Sequence, residues 1–447
     1  RAGMITGIIG ISRDITALKQ AEEEMLRARD LAEESALFKA QFLATMSHEI
    51  RTPMNAIIGM IDLLLSTNLD DEQREYAGHV RTSADALLEI LNDILDLSKV
   101  EAGQLELEKT KFNLRELVED AVELHALRAQ EKNVELACFV PTECAGMYFG
   151  DAGRLRQVLL NFVSNAVKFT EKGTVRVTVV TENSDHLRFE IRDTGIGIAE
   201  ELQSKIFEAF RQADGSTTRK YGGTGLGLAI SQELVELMGG ELGVESETHS
   251  GSVFWFTAQL DKGEDESHAP FPELAGKNLF LAAPDGFVRC AIEESAAEWG
   301  LGIECVADGA AARRCLETAD VSGMVLLDLD LPGGDVLDLV QLVHDRSPNT
   351  RVLILTTRTT KFDPAIIQTM GVVGVLTKPV KYQRLGQALV EALTGKSKPS
   401  SLSPVSAPRR ILRVLVVEDN QINQRVAQLQ LEKLGCRVIL CDCGEAA

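Results

Sequence analysis

Residues 41–60, QFLATMSHEIRTPMNAIIGM, constrain this chain more than any other stretch. Read in sevens, Leu43, Met46, Ile50, Pro53, Ile57, Met60 and Leu64 occupy the a and d positions of a heptad. A heptad commits one face of a helix to packing against other helices. In that register His48 falls at f, opposite the seam, so a lone imidazole is expected to face solvent, followed by Glu49, Arg51 and Thr52. Pro53 predicts a kink just past it. A second helix is expected over 71–99, with Tyr76, Val80, Ser83, Leu87, Ile90, Ile94 and Leu97 again on a and d. One hairpin cannot cover its own two apolar stripes, but two hairpins can, as a four-helix bundle. Residues 41–103 are therefore expected to form a homodimer, with Gly103 as the C-terminal stop.

At 447 residues the chain has room for roughly three domains. Lys and Arg number 46 against 67 Asp and Glu, a formal charge of −21 that argues against direct nucleic-acid binding. Eight cysteines are scattered without a CxxC pair, which points to reduced thiols in a cytoplasmic compartment rather than a disulfide frame or zinc site. No apolar run is long enough to span a bilayer. The chain begins with Arg and stops inside an apparent domain, so it is expected to be a fragment, with room upstream for an inner-membrane anchor.

Three patches between 157 and 231 converge on nucleotide chemistry. On a helix over 151–168, Asn161, Asn165 and Lys168 share a face by i, i+4, i+7 spacing. Amide oxygens suit a hard Mg²⁺ ion and the ammonium suits phosphate, although such a stripe alone is usually a solvated face. Asp193, Gly195 and Gly197 follow a predicted strand; an exposed carboxylate there can accept from an adenine amino group while the glycines admit the base. Glycines after a strand otherwise mean only a turn. Gly222, Gly223, Thr224, Gly225, Leu226 and Gly227 open a helix whose N-terminus suits an anion. The pattern is neither a Walker P-loop, lacking Gly-Lys-Ser/Thr, nor a Rossmann fingerprint, lacking an abutting strand. Residues 211–223, with Arg219 and Lys220, are polar enough to close as a lid.

In this order the patches resemble the N, G1 and G2 boxes of the histidine-kinase ATP-binding domain, with Phe207 and Phe210 matching its F box. The stretch around His48, its Pro included, resembles the H-box of sensor histidine kinases, where the matching His is phosphorylated. The resemblance implies that Asn165 holds Mg²⁺ with help from Asn161, that Lys168 contacts phosphate and that Asp193 reads adenine. It implies that Glu49 orients the His48 ring, that Thr52 matches a position linked to dephosphorylation of the partner, and that ATP and Mg²⁺ are the cofactors. The implied fold is a Bergerat-type α/β sandwich over 104–262, whose strand pairs (174–181 with 187–192) look antiparallel. Residues 114–131 and 252–260 are expected as a helix and a further strand. Residues 1–16, ending Asp14-Ile15-Thr16, resemble the C-terminal end of a PAS sensor domain, and 17–40, with Leu18, Met25 and Ala32 every seven, read as a connector helix.

After a proline-bearing linker at 263–276, residues 277–395 alternate short apolar strands with helices, a parallel α/β pattern. They resemble a response-regulator receiver domain. Asp328 stands at the phosphoacceptor position, Thr356 at the switch position and Lys378-Pro379 at the phosphate-contacting Lys. Where the family has an acidic pair after its first strand, this chain has Ala283-Pro284 and then Asp285. A metal site without that pair loses ligands, so the module is expected to be a poor or inactive acceptor with a docking or regulatory role. A second linker, 396–410, leads into 411–447, which restart the pattern and keep Glu418-Asp419-Asn420 as a hard-metal motif. An Asp/Asn turn capping a helix is the plainer reading of that motif.

The whole is a multidomain chain resembling a hybrid sensor histidine kinase. The implied reaction is ATP-dependent phosphorylation of His48, then transfer to a receiver aspartate; a response regulator or histidine phosphotransfer protein is the expected partner. Two other readings share parts of the pattern: an ATPase of the gyrase, Hsp90 and MutL type, and a nucleotide-binding scaffold without turnover. The first has no use for an exposed His on a heptad hairpin, and intact Asn165, Asp193 and the glycines of 222–228 argue against the second.

Overall fold

The computed structural model describes residues 16–183, 186–209, 211, 225–263, 271–318, 323–357, 371–394 and 412–444. Residues 1–15 of the expected PAS end, the second linker, Phe210, Arg219, Lys220 and Gly222–Thr224 lie outside the described residues, as do the side chains of His48, Leu18 and Ala32; Thr16 opens the first helix instead. Two compact units separate: residues 1–106 with 408–447, and residues 107–407.

In the first unit α1 (Thr16–Leu65) runs unbroken through Pro53, so connector and H-box share one helix. Its antiparallel neighbour α2 (Asp71–Glu101) starts at a capping box: Asp70 accepts from Gln73 N at 2.8 Å, and the Gln73 side chain accepts from Asp70 N. The hairpin buries small residues and two larger ones, Ala56, Ala77, Ala84, Met54 and Leu95. The heptad residues lie elsewhere: Ile50, Ile57, Met60 and Leu64 on α1, and Tyr76, Val80 and Leu87 on α2, remain exposed. Each helix therefore carries two stripes, a small one for its hairpin neighbour and a larger one left without cover in the single chain.

The second unit opens with β1 (Thr110–Asn113), α3 (Leu114–Glu123) and α4 (Ala126–Glu131). The single helix expected over 114–131 breaks at Leu124–His125, where His125 N turns back early to Val122 O. β2 (Val134–Phe139), β3 (Met147–Gly150), α5 (Ala152–Phe169), β4 (Gly173–Thr181) and β5 (His186–Asp193) follow, then α6 (Glu200–Gln203), α7 (Gly227–Leu237), β6 (Leu242–Glu247), β7 (Gly251–Gln259) and β8 (Asp261–Lys262). The main sheet runs β2-β4-β5-β7-β6. It is antiparallel as expected except at its edge, where β2 pairs parallel with β4. Phe162 of α5 packs on Phe254 and Phe256 of β7, and Phe189 of β5 stacks on Phe256. That apolar layer fixes which face of α5 turns away from the sheet.

The second half of the expected first linker is structured. A 3₁₀ turn at Pro272–Leu274 buries Leu274, and Phe271 packs edge-on against Trp299. Then come β9 (Asn278–Ala282), α8 (Phe287–Glu298), β10 (Gly302–Val306), α9 (Gly309–Thr318), β11 (Met324–Asp328), α10 (Val336–Arg346), β12 (Arg351–Thr356), β13 (Val372–Thr377) and α11 (Tyr382–Thr394). Its all-parallel sheet, β10-β9-β11-β12-β13, is doubly wound. In the first unit, β14 (Arg413–Val417), α12 (Gln421–Lys433) and β15 (Arg437–Cys441) begin the same pattern again.

Candidate functional site

Asp151 starts α5 by accepting from Arg154 N at 3.0 Å. With Leu155, Leu159, Phe162 and Val163 buried on one side, Asn161, Asn165 and Lys168 fall together on another. Asn161 Nδ2 donates to Ser231 Oγ on α7 at 2.8 Å, and Asn165 Nδ2 donates to Asn161 Oδ1 at 3.2 Å. The two amides are thus oriented as a relay: Ser231 fixes Asn161, which fixes Asn165. Gly227 permits this approach, because a Cβ there would stand 2.5 Å from Asn161 Oδ1. Gly225 has φ +71° and Leu226 is buried. The N-terminus of α7 is therefore held beside the amide pair, a donor set suited to a hard cation carried by phosphates. Two neutral amides fit a hard cation that brings its own phosphate oxygens; among the described residues, no three His, Cys, Asp or Glu side chains gather as a metal site.

Lys168 is half-buried, its Nζ 5.0 Å from the Phe169 ring centre. Burial, then the neighbouring Arg128 and Lys132, push its amine below the ordinary lysine range. Sequence reasoning missed Lys132, whose Nζ donates to the carbonyls of Val167 at 2.9 Å and Lys168 at 2.6 Å. It satisfies the orphan carbonyls at the end of α5 and adds a cation there.

Asp193 departs from the sequence expectation: it is 6 % exposed rather than open to solvent. It ends the central strand β5, flanked by Val175 on β4 and Ser252 on β7, so neighbouring strands cover it on both sides. Its Oδ1 accepts from Gly195 N at 2.8 Å. Burial raises its carboxyl pKa against the pull of the Gly195 and Ser252 amides. The two glycines serve packing as well as access. A Cβ on Gly195 would stand 2.6 Å from Phe169 O, and Gly197, at φ +69°, sits against the Glu247 carbonyl. A network that sequence also missed anchors this loop: Ser246 Oγ accepts from Ile198 N at 2.8 Å, and Gln203 Nε2 donates to Ser246 O at 2.8 Å.

His48 lies in α1, with Glu49 and Thr52 exposed beside it; Arg51 Nη2 donates across to Asn92 Oδ1 on α2 at 3.0 Å. In the parallel domain Asp328 ends β11 and is buried, and Lys378 Nζ lies 2.7 Å from its Oδ2 and 2.9 Å from Asp330 Oδ2. Thr356 is buried at the end of β12. Ala283 is buried where an acidic pair would begin, and the Asp285 carboxylate pairs with Arg289 on the helix that follows it. In the last module Glu418 Oε1 accepts from Asn423 Nδ2 at 2.7 Å, and Asp419 is exposed at the strand end.

Three family models match the chain: a His Kinase A phospho-acceptor domain over residues 38–103, a histidine kinase-, DNA gyrase B- and HSP90-like ATPase over 150–262, and a response regulator receiver domain over 284–390. The chain is 36 % identical to sensor histidine kinase GacS of Pseudomonas protegens, over 98 % of its own length and 49 % of that protein. It is 35 % identical to the signal transduction histidine-protein kinase BarA of Escherichia coli K12, over 95 % of its length and 46 % of the relative. It thus spans about half the length of the curated relatives it matches. A crystal structure of full-length ShkA, in complex with AMPPNP, is similar at 34 % identity and a TM-score of 0.65, covering 91 % of this chain and 83 % of that one. No described helix is long and apolar enough to cross a membrane.

Proposed function

This chain belongs to the hybrid sensor histidine kinases, and on that premise we propose that it transfers the γ-phosphoryl group of ATP to His48 and then to a receiver aspartate. The observation that carries the nucleotide half is the relay Ser231–Asn161–Asn165 beside the N-terminus of α7. Asn165, assisted by Asn161, would hold Mg²⁺ bound with the triphosphate, and the ion would supply charge neutralisation there. Lys168 faces the same phosphates, and Asp193 accepts from the adenine amino group. AMPPNP, the nucleotide in the ShkA complex, is an ATP analogue and fits this assignment.

A neutral imidazole has a ring nitrogen lone pair for phosphorus. As the N–P bond forms at His48, the bond from Pγ to the β–γ bridging oxygen breaks and ADP leaves with that electron pair. Glu49 holds the other ring nitrogen and stabilises the cation that develops. Thr52 lies one helical turn on and acts in dephosphorylation of the partner. Residues 41–103 pair with a second copy, and a response regulator or histidine phosphotransfer module receives the group.

The receiver-like module is not an efficient acceptor. Asp328 is clasped by Lys378, and Ala283 and Pro284 offer no carboxylate for a divalent ion. The second module, with Glu418 and Asp419, has the hard-metal pair the first lacks. A membrane anchor upstream of residue 1 fits this reading.

The test is labelling with γ-³²P-ATP. The protein should take up acid-labile, base-stable label, and His48→Gln should take up none. Hydrolysis without any protein-bound label, as a gyrase-type ATPase would give, overturns the proposal.

A further inference from the structure

The first helix of each receiver-type module has a different neighbour. In the C-terminal module α12 lies along α1 of the hairpin: Val426 sits where a Cβ on Gly59 would be, and Lys433 Nζ bonds Ser66 Oγ. Its counterpart α8 faces the ATP-binding domain instead. Helix α8 has no side-chain cap of its own; Glu135, on the edge strand β2, provides one by accepting from Val288 N at 2.8 Å. Gly286 admits that carboxylate, because a Cβ there would overlap it. Further along, Glu294 takes Arg176 Nη2 on both oxygens at 3.0 Å, and Glu298 accepts from Thr142 N at 2.8 Å.

The two helices use the same face for these different neighbours. Val426 and Lys433 stand nine and sixteen residues past Val417, the last residue of β14. Nine and sixteen residues past Ala282, the last of β9, stand Ala291 and Glu298. Ala291 lines the crevice between α8 and the ATP-binding domain, opposite Arg115 and Val140, and Glu298 bonds across it. The contact is part of the fold's interior. Ala137 of β2 belongs to the core cluster built on Trp299, Leu281 and Tyr382. At the start of α11, Tyr382 N donates to the buried Glu119 at 2.8 Å, and Lys381 reaches Asp120 at 2.7 Å and Glu123 at 2.6 Å. A sheet edge is a surface that folded proteins cover, and here α8 covers β2.

We propose that the ATP-binding domain sequesters α8, the first helix of the receiver-like module, by the same face that α12 presents to the hairpin. The receiver-like module is then a fixed part of the ATP-binding unit, and the hairpin is left to the C-terminal module. This deepens the non-acceptor reading above: the module lacks both the metal ligands and a first helix free to pack as α12 does.

Hydrogen exchange on the whole chain tests it. Arg176→Glu should raise exchange of residues 291–298 and 134–139 together, by about tenfold or more, while the 324–328 core stays protected. The charge swap Arg176→Glu with Glu294→Arg should reverse the rise. Unchanged exchange at 291–298, a rise at one face alone, or a rise that the swap leaves in place overturns the proposal. Val426→Glu should raise exchange at 56–63, because the sequestered α8 cannot take the place of α12; no rise there also overturns it. None of these readouts needs ATP turnover. A failed His48 labelling would leave this inference standing, and its own failure would leave the kinase reading standing.

Discussion

Asn165 and Asp193 are both polar, but the fold surrounds them differently. Asn165 is presented on a helix face with one amide hydrogen bonded to Asn161, whereas Asp193 is enclosed by strands. Asn165→Ala should therefore weaken Mg-ATP binding, by roughly 10- to 100-fold in calorimetry, with the melting temperature nearly unchanged. Ser231→Ala should give a smaller loss, since it only unfixes Asn161. At Asp328, removing Lys378 leaves a buried carboxylate without its cation. Lys378→Ala should destabilise the second unit by about 2–3 kcal/mol, and Asp328→Asn on that background should recover part of it in thermal melts. Asn161, Asn165 and Lys168 were legible because helix spacing reports a shared face. Ser231, seventy residues from Asn161, and Lys132, which reaches the end of α5 from just past α4, carry no such local signal.

The hairpin helices show what periodicity reports and what it leaves out. The heptad named the apolar stripe correctly, but the residues that α1 and α2 bury are mainly alanines and serines off that register, such as Ala56, Ala77, Ser47 and Ser98. In the single chain much of the heptad stripe is exposed, Ile50 at 40 % and Leu87 at 46 %. Leu87→Glu with Ile50→Glu should give a monomer in sedimentation velocity while helix content by circular dichroism is kept. A dimer that survived would place the partner surface elsewhere. In the nucleotide loop, Gly197→Ala should cost about 1–3 kcal/mol and slow ATP binding, because φ +69° disfavours a Cβ and the Glu247 carbonyl occupies its place.

Across the whole second unit, one buried carboxylate links stability to pH. Glu119 is pushed up to about 7, by burial first. The Tyr382 amide, Arg115 and Lys381 oppose the shift, and Asp120 adds to it. Cys138 faces the same group. In the unfolded chain the carboxyl returns to its ordinary value of 4.5, so between these values the folded state holds more protons. Stability then falls as pH rises from about 4.5 to about 7 and levels off above, a span of about 3 kcal/mol. Glu119→Gln should flatten that part of the pH–stability profile and raise the melting temperature at pH 8. A slope unchanged in the variant would assign the titration to another group.

The order of modules, the heptad helix that carries His48 and the amide and glycine patches follow from the sequence by itself, because each rests on neighbours within a few turns of helix or one strand end. The missing acidic pair at Ala283-Pro284 was legible for the same reason. Only the tertiary structure decided that Asp193 is enclosed, that Phe271 leaves its linker for a core, and that Glu135 caps a helix 153 residues away. Such pairings depend on which sheet edge meets which helix end, a choice made by burial over the whole unit that leaves no period along the chain.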